Sequence, residues 1–211
     1  SGEEEARLTY LGANLILKNR TRPMLLIDIG GGSTEFIVSE GEFPHLFIST
    51  NLGLVRLTEK YLHSDPSTEE ECDALRLEIE RVLRDRVPQF PSHRESHSVL
   101  FAGTAGTLTT LAAIDQKMDP YEPQKINGYP LSKKAVKAIL NQLLSLPLQE
   151  RCQVPGLEKG REDLIIPGIL ILLVLMELCH YDSVTVSDYG LREGVLIDHY
   201  KKNNFRQNQQ I

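Results

Sequence analysis

The chain is poor in the residues that mark several common protein classes. Its 211 residues include only three cysteines, which are widely spaced, odd in number and without a C-x-x-C pair. A complete disulfide framework is therefore not expected, and we interpret the thiols as those of a cytoplasmic protein. The six histidines show no metal-binding spacing, and no G-x-S-x-G serine motif occurs.

Basic clusters and membrane-spanning segments are also missing. The net charge is −6 and no stretch concentrates lysine or arginine, so no nucleic-acid partner is expected. The long apolar segment from Leu164 to Cys179 falls short of the ~20 residues that a spanning helix needs. Pro167 and Gly168 also interrupt its start. We expect no membrane partner and interpret this segment as a buried helix of one well-packed domain.

The most informative motif is a run of three glycines between two predicted strands. Apolar runs at residues 24–27 and 36–38 flank it. Adjacent glycines can take φ > 0 and present consecutive bare N–H groups, which form a concave site for an anion such as phosphate. Two following hydroxyls add donors, so we predict a phosphate loop. The segment reads Asp28, Ile29, Gly30, Gly31, Gly32, Ser33, Thr34 and Glu35.

Other glycine motifs fit this segment less well. No G-K-[ST] follows as in a P-loop, and contiguous glycines that lead into a strand do not match the dinucleotide fingerprint. A plain hairpin remains the structural alternative, although such a turn needs one or two glycines rather than three between two acids.

Two carboxylates, Asp28 and Glu35, stand at the mouth of this turn. They could hold a hydrated Mg²⁺ or position a water molecule. A turn-capping aspartate and an outward-facing strand glutamate are the structural alternatives. Because Mg²⁺ commonly accompanies polyphosphates, we predict Asp28 and Glu35 as metal ligands, and Glu35 also as a catalytic candidate.

A second glycine turn leaves a predicted strand and opens a predicted helix. The N-terminus of a helix offers free N–H groups and a partial positive charge, which attract phosphate. A tight joint between strand and helix would explain the same glycines. We predict phosphate contacts from this turn, whose residues are Gly103, Thr104, Ala105, Gly106 and Thr107.

The predicted elements follow the order strand, strand, strand, helix, strand, helix, strand, helix, with one helical insertion. This order predicts a ribonuclease H-like α/β domain with a mixed five-stranded sheet and helices on both faces. A capping box at Ser67 and Glu70 is expected to open one helix, and residues 121–131 are expected to form a loop. The domain is expected to cover residues 1–200, followed by a frayed polar tail at 201–211.

Five segments occur in the order found in one known family. They are SGEEEAR at 1–7, DIGGGSTE at 28–35, LGLVRLTE at 52–59, FAGTAGTLTTLA at 101–112 and SDYGLREG at 187–194. Together they resemble the exopolyphosphatase / guanosine pentaphosphate phosphohydrolase family, which belongs to the actin-like ATPase and sugar kinase superfamily. The resemblance covers about residues 1–200.

The resemblance implies a hydrolase for the terminal phosphoanhydride bonds of inorganic polyphosphate or guanosine pentaphosphate (pppGpp), with Mg²⁺ or another divalent cation. It points to Glu5 as the catalytic base, whereas spacing alone does not choose among Glu3, Glu4 and Glu5. It also adds Arg161 as a phosphate ligand, for which a surface arginine is the structural alternative.

Members of this family begin with another domain that carries a further phosphate loop. The chain is therefore expected to be the second half of a two-domain enzyme, with that domain as its partner and little activity alone. A homodimer is compatible with the sequence. Two other functions stay open: an ATP-dependent kinase or ATPase of the same superfamily, and a non-catalytic sensor of guanosine tetra- or pentaphosphate.

Overall fold

A mixed six-stranded sheet organises the domain. The computed structural model describes residues 2–91 and 99–208. Strand order is β3-β2-β1-β4-β6-β5; β1, β4 and β6 run parallel, while β2, β3 and β5 pair antiparallel with their neighbours. The strands are β1 (Pro23–Ile29), β2 (Thr34–Glu40), β3 (Phe43–Thr50), β4 (Leu100–Thr104), β5 (Tyr129–Ser132) and β6 (Ser183–Val186).

Helices cover both faces of this sheet. They are α1 (Gly2–Leu17), α2 (Leu54–Tyr61), α3 (Glu69–Arg84), α4 (Ala105–Asp115), α5 (Pro123–Ile126), α6 (Lys133–Leu144), α7 (Leu148–Arg151), α8 (Ile165–Leu178) and α9 (Leu191–Asn208). On one face, Ala6 and Tyr10 of α1 pack against Met24 and Leu26 of β1. On the other face, α3, α4 and α8 form the main core. The predicted α/β class and the two-sided arrangement are therefore confirmed.

The predicted buried helix is α8. Every residue from Ile165 to Met176 is buried, because the helix packs between α3 and α6 within the larger core. The helix begins after the turn that contains Arg161, and the Arg161 carbonyl accepts the N–H groups of Leu164 and Ile165. Among the described residues, no helix combines the length and apolar character needed to cross a membrane.

The number of strands differs from the prediction of five. Residues 121–131, expected to form a loop, contain the short helix α5 and most of β5, which is the additional strand. Pro130 lies within β5, where it lacks a backbone N–H for the ladder. The strand tolerates this residue because β5 is an edge strand that pairs only with β6.

Several predicted boundaries also need correction. Strand β4 extends through Thr104, so two residues assigned to the second glycine turn belong to the sheet. The capping box uses Thr68 and Glu71, one residue later than predicted. Helix α9 continues to Asn208, so residues 201–208 are helical rather than a frayed tail. Ser1, the first residue of the SGEEEAR segment, lies outside the described residues.

Candidate functional site

Asp28 lies between two neighbouring strands at the carboxyl end of β1. It stands opposite Glu35 in the antiparallel pair with β2 and opposite Thr104 in the parallel pair with β4. Burial raises the pKa of the Asp28 carboxyl to about 6, and the charges of Glu35 and Glu5 add to this effect. Three predicted site residues from α1, β1 and β2 are thus brought close enough for their charges to interact.

The first turn of α1 distinguishes its glutamates. Glu4 forms an ion pair with Arg7, whose guanidinium hydrogen-bonds to the Glu4 carboxylate at 2.8 Å and lowers its pKa. Arg7 also reaches Asp198 of α9 at 2.9 Å, which joins the two helices. Glu5 is exposed, and its charge acts on Asp28. The geometry therefore favours Glu5 over Glu4 as the site carboxylate.

The carboxylates fit a hydrated divalent cation. None of the described residues donates a hydrogen bond to the Asp28 carboxylate or pairs with it as a cation. Within residues 2–91 and 99–208, no three His, Cys, Asp or Glu side chains form a metal cluster. Mg²⁺ typically keeps several waters and uses one or two carboxylates together with substrate phosphates, so a dedicated three-ligand cage is not needed.

The first glycine turn is a tight four-residue connection from β1 to β2. The Gly30 N–H donates to the Ser33 carbonyl at 2.9 Å. Contrary to the prediction, none of the three glycines adopts a φ in the left-handed region. A Cβ on Gly32 would have no neighbour within 4 Å, and one on Gly31 would meet only a Val55 methyl at 3.7 Å. The missing side chains therefore leave open space on the solvent side of the turn.

Helix α2 supports this turn from behind. The Leu54 and Val55 N–H groups donate to the carbonyls of Gly30 and Gly31 at 3.1 and 3.0 Å. A Cβ on Gly53 would lie 2.3 Å from the Gly32 carbonyl carbon, so the two backbones are in direct contact. The first N–H groups of α2 are consequently used to hold the turn, which fixes its position relative to Asp28.

Two predicted phosphate ligands in these turns have structural roles. The Thr34 hydroxyl is fully buried and donates to the Leu52 carbonyl at 2.7 Å. The Thr107 hydroxyl is also buried and donates to the Ile29 carbonyl at 3.3 Å. Each side chain ties one strand end to a neighbouring element, so its hydroxyl is not directed at a ligand. Ser33 remains partly exposed beside the glycines.

Residues of the second turn differ in their surroundings: some are packed in the sheet and others are partly exposed. Gly103 lies in β4, where a Cβ would come within 2.6 Å of the Leu108 side chain, and the buried Thr104 hydroxyl donates to the Tyr189 carbonyl at 3.0 Å. The packing alternative is therefore correct for Gly103. Ala105, by contrast, is partly exposed with a φ of 63°, which is strained for a residue with a side chain.

The Arg161 side chain contacts the second turn at Gly106. A Cβ on Gly106 would lie 1.7 Å from the Arg161 Nη2 atom, so only glycine leaves room for the guanidinium. The Arg161 Nε atom pairs with the Glu158 carboxylate, three residues earlier. The guanidinium is therefore held at the N-terminus of α4, where helix N–H groups also attract anions.

A cleft of about 950 Å³ opens over the second turn. Among the predicted site residues it includes Asp28, Thr104, Ala105, Gly106 and Arg161, whereas Glu5, Glu35 and the first glycine turn lie outside its lining. Asp28 lines the cleft and is also the carboxylate on which the charges of Glu5 and Glu35 act. The two parts of the predicted site thus meet at this side chain.

The sequence interpretation missed residues that line the far side of the cleft. The Tyr121 hydroxyl donates to the Asp188 carboxylate, and the Asp188 N–H donates to the Asn127 side chain at 2.8 Å. Glu158 pairs with Arg161. Asp188 was visible in the closing SDYGLREG motif, but no local pattern marked Tyr121 or Glu158.

The fold and the two turns define a class of protein. Both turns follow the carboxyl ends of two parallel strands, β1 and β4. Ligands of open α/β sheets bind beside these ends. A ribonuclease H-like sheet with such backbone turns and adjoining carboxylates is the arrangement of an actin-like ATPase-type domain.

The model of the Ppx/GppA phosphatase family matches residues 1–203. Exopolyphosphatase 2 of Mycobacterium tuberculosis is 31% identical over 202 residues, which cover 93% of this chain and 62% of that protein. The Ppx/GppA enzyme of Aquifex aeolicus superposes with a TM-score of 0.83 at 34% identity, over 93% of this chain and 63% of that one. An exopolyphosphatase structure from Cytophaga hutchinsonii gives 0.82 at 25% identity, over 95% and 64%.

The chain belongs to the Ppx/GppA phosphatase family. It spans somewhat more than three fifths of the length of these relatives.

Proposed function

We propose that the chain is part of a phosphoanhydride hydrolase that removes the terminal phosphate of inorganic polyphosphate or guanosine pentaphosphate. The observation that carries this proposal is the pairing of Asp28 with Glu35 beside a solvent-facing glycine turn, with Glu5 near enough for its charge to act on Asp28. The relatives named exopolyphosphatase support it. Cys72, Cys152 and Cys179 form no disulfide among the described residues, which agrees with a cytoplasmic location.

The backbone supplies most of the phosphate binding in this proposal. The open side of Gly31 and Gly32 lets phosphate oxygens approach the main chain without meeting a side chain. A second contact comes from the start of α4, where Arg161 lies over Gly106. An arginine fork suits the geometry of phosphate oxygens, and positioning of this kind accounts for much of the catalysis of phosphoryl transfer.

Glu5 acts as the general base. Its exposed carboxylate accepts a proton from a water molecule while the water oxygen attacks the terminal phosphorus. The bond between that phosphorus and the bridging oxygen breaks, and the bridging oxygen stays on the shortened chain. The products are orthophosphate and a chain with one phosphate fewer.

Asp28 and Glu35 would hold Mg²⁺ or another divalent cation, together with phosphate oxygens. Such a cation would offset the negative charge of the phosphates in the reaction. Asp28 is suited to this role because its partly buried charge has no cationic partner among the described residues. We further propose that the region present in the longer relatives completes the site from the opposite side.

Phosphate release from two substrates tests this function. A form of the protein that also carries the additional region of its relatives is incubated with Mg²⁺ and either polyphosphate or pppGpp. We expect orthophosphate from at least one of them, and none from either when the cation is removed by a chelator. No release from either substrate, or transfer of phosphate to an acceptor in place of water, would overturn the proposal.

A further inference from the structure

A second concave surface lies on the other side of the first glycine turn. It is a groove of about 320 Å³ between the end of β3, helix α2 and the C-terminal part of α3. We call it the basic groove. Its charged lining residues are Arg56, Lys60, Arg81, Arg86, Glu78 and Asp85.

Most cations of the basic groove are available for a ligand. Arg81 is engaged by Glu78 in a hydrogen-bonded ion pair at 2.9 Å. Arg56, Lys60 and Arg86 are exposed, and no carboxylate of the described residues pairs with them. The Lys60 Nζ atom lies 4.8 Å from the centre of the Tyr61 ring, a contact that leaves its other side open to an anion. Three cations therefore line one groove without a direct ion pair, although Glu78 lies close enough for its charge to act on Arg56 and Lys60.

The basic groove adjoins the candidate active site. Ser49 lines the groove, and its hydroxyl donates to the Glu35 carboxylate at 2.8 Å. At the same end, Gly53 packs its backbone against Gly32 of the glycine turn. A linear ligand that ends at the turn can therefore pass over the start of α2 into the groove.

Charge decides between the groove and the cleft as the path of a long polyanion. Five acidic and two basic residues line the cleft, whereas four basic and two acidic residues line the basic groove. A chain that carries a negative charge on every unit is therefore attracted more strongly by the second lining, because the acidic residues of the first leave only Arg161 and the start of α4 as a phosphate contact. This contrast occurs in a chain whose overall charge is −6.

We infer that the basic groove binds the distal part of an inorganic phosphate chain whose terminal unit lies at the Gly30–Gly32 turn. The inference rests on the proposed function and specifies its substrate, because a ligand with only a few phosphates does not extend into the groove. The groove then raises affinity for long polyphosphate without contributing to the binding of a triphosphate end.

Chain-length dependence of binding provides the test. The variant R56A/K60A/R86A removes the three unpaired cations. The matched control R20A/K134A/K201A removes three exposed cations outside the groove, so both variants have the same net charge. Each is titrated in Mg²⁺ with tripolyphosphate and with polyphosphate of several tens of units, at two salt concentrations, and each is melted to confirm folding.

The groove variant is expected to lose at least about tenfold in affinity for long polyphosphate and to show a weaker salt dependence, since fewer counterions are released. Its affinity for tripolyphosphate should stay within about twofold of the wild type, and the control should bind both probes nearly normally. Wild-type binding of the long chain by the groove variant, or an equal loss in the control, would overturn the inference.

A Gly32→Val variant separates this inference from the proposed function. If it binds tripolyphosphate normally, the glycine turn is not the phosphate site and the proposed function loses its support. A groove-dependent loss for the long chain in that case would identify an independent polyanion site, which also overturns the continuous path. If Gly32→Val loses tripolyphosphate while the groove variant behaves like the wild type, only the groove inference fails.

Discussion

The Arg161 guanidinium lies directly over Gly106, in the space that the Cβ of any other residue would occupy. The distance from that Cβ position to Nη2 is 1.7 Å. The glycine of the second turn is therefore explained by a side chain from a distant loop rather than by its own backbone conformation, since Gly106 has no positive φ.

Gly106→Ala is expected to displace Arg161 and lower phosphate affinity about tenfold or more, because a charge-assisted contact is lost. Stability should change by less than about 1 kcal/mol, since the clash involves the end of a flexible side chain and alanine suits a helix. Titration with tripolyphosphate measures the effect.

A double-mutant cycle supplies the control for this prediction. Arg161→Ala alone should lose as much affinity as Gly106→Ala, and the double variant no more than either. Additive losses would mean that the two residues act independently and that the guanidinium does not bind phosphate from its position over the turn.

Asp28→Asn is expected to stabilise the domain at neutral pH. Burial raises the Asp28 pKa from 3.8 to about 6, so the protonated folded form is favoured and stability is lost as the pH rises through this range. Replacing the carboxyl with a neutral amide should raise the free energy of unfolding by about 1–3 kcal/mol at pH 7.5 and by much less near pH 4.

Denaturant unfolding of both proteins at the two pH values, with and without Mg²⁺, measures this effect. Mg²⁺ should stabilise the wild type but not Asp28→Asn, because the cation binds the folded state through this carboxylate. Equal stabilities at pH 7.5 would show that the Asp28 charge does not destabilise the folded state. Equal responses to Mg²⁺ would show that the Asp28 carboxylate does not bind the cation.

The glycine turn could be located from the sequence, but the reason for its glycines could not. The flanking strands follow from apolar runs, and the strand pairing places Asp28 opposite Glu35 as the short connection requires. The expected positive φ is absent, and the glycines instead leave empty space in front of the turn. Space is a property of the folded surroundings and leaves no local signal.

The start of helix α3 could also be predicted only approximately from the sequence. The segment from Ser67 to Glu71 contains two overlapping S/T-x-x-E patterns, and the structure uses the later one, Thr68 with Glu71. Glu71 also accepts the N–H groups of His63 and Ser64, which come from the preceding loop. These bonds to the preceding loop select one of two patterns that are equivalent in sequence.

The far wall of the cleft depends on tertiary contacts. Gly156 has a φ of +89°, and a Cβ there would lie 2.3 Å from the backbone of Ala113 in α4. This contact brings the loop that carries Glu158 and Arg161 to the second turn. No periodicity or turn motif in residues 152–161 indicates that approach.

Gly32→Val and Gly53→Ala are expected to separate ligand binding from folding. A Cβ at Gly32 would meet no neighbouring protein atom within 4 Å, so the free energy of unfolding of Gly32→Val should stay within about 1 kcal/mol of the wild type while phosphate binding is lost. A Cβ at Gly53 would collide with the Gly32 backbone at 2.3 Å, so Gly53→Ala should cost about 1–3 kcal/mol. Thermal melts beside tripolyphosphate titrations distinguish the two. Normal binding by a folded Gly32→Val protein would reduce the turn to a plain hairpin.

Glu5→Gln should lower turnover at least ~10²-fold with little change in substrate affinity, as expected when a general base is removed. The assay is phosphate release from polyphosphate or pppGpp by a form that also carries the additional region of its relatives, with tripolyphosphate binding measured in parallel. Glu4→Gln is the matched control on the same helical turn, because Glu4 is engaged by Arg7 rather than directed at Asp28. That control should keep most of the turnover and lose only the modest stability of an exposed ion pair. Normal turnover in Glu5→Gln, or an equal loss in Glu4→Gln, would show that Glu5 is not the general base. Glu35, which pairs with Asp28 across the two strands, would then be the next candidate.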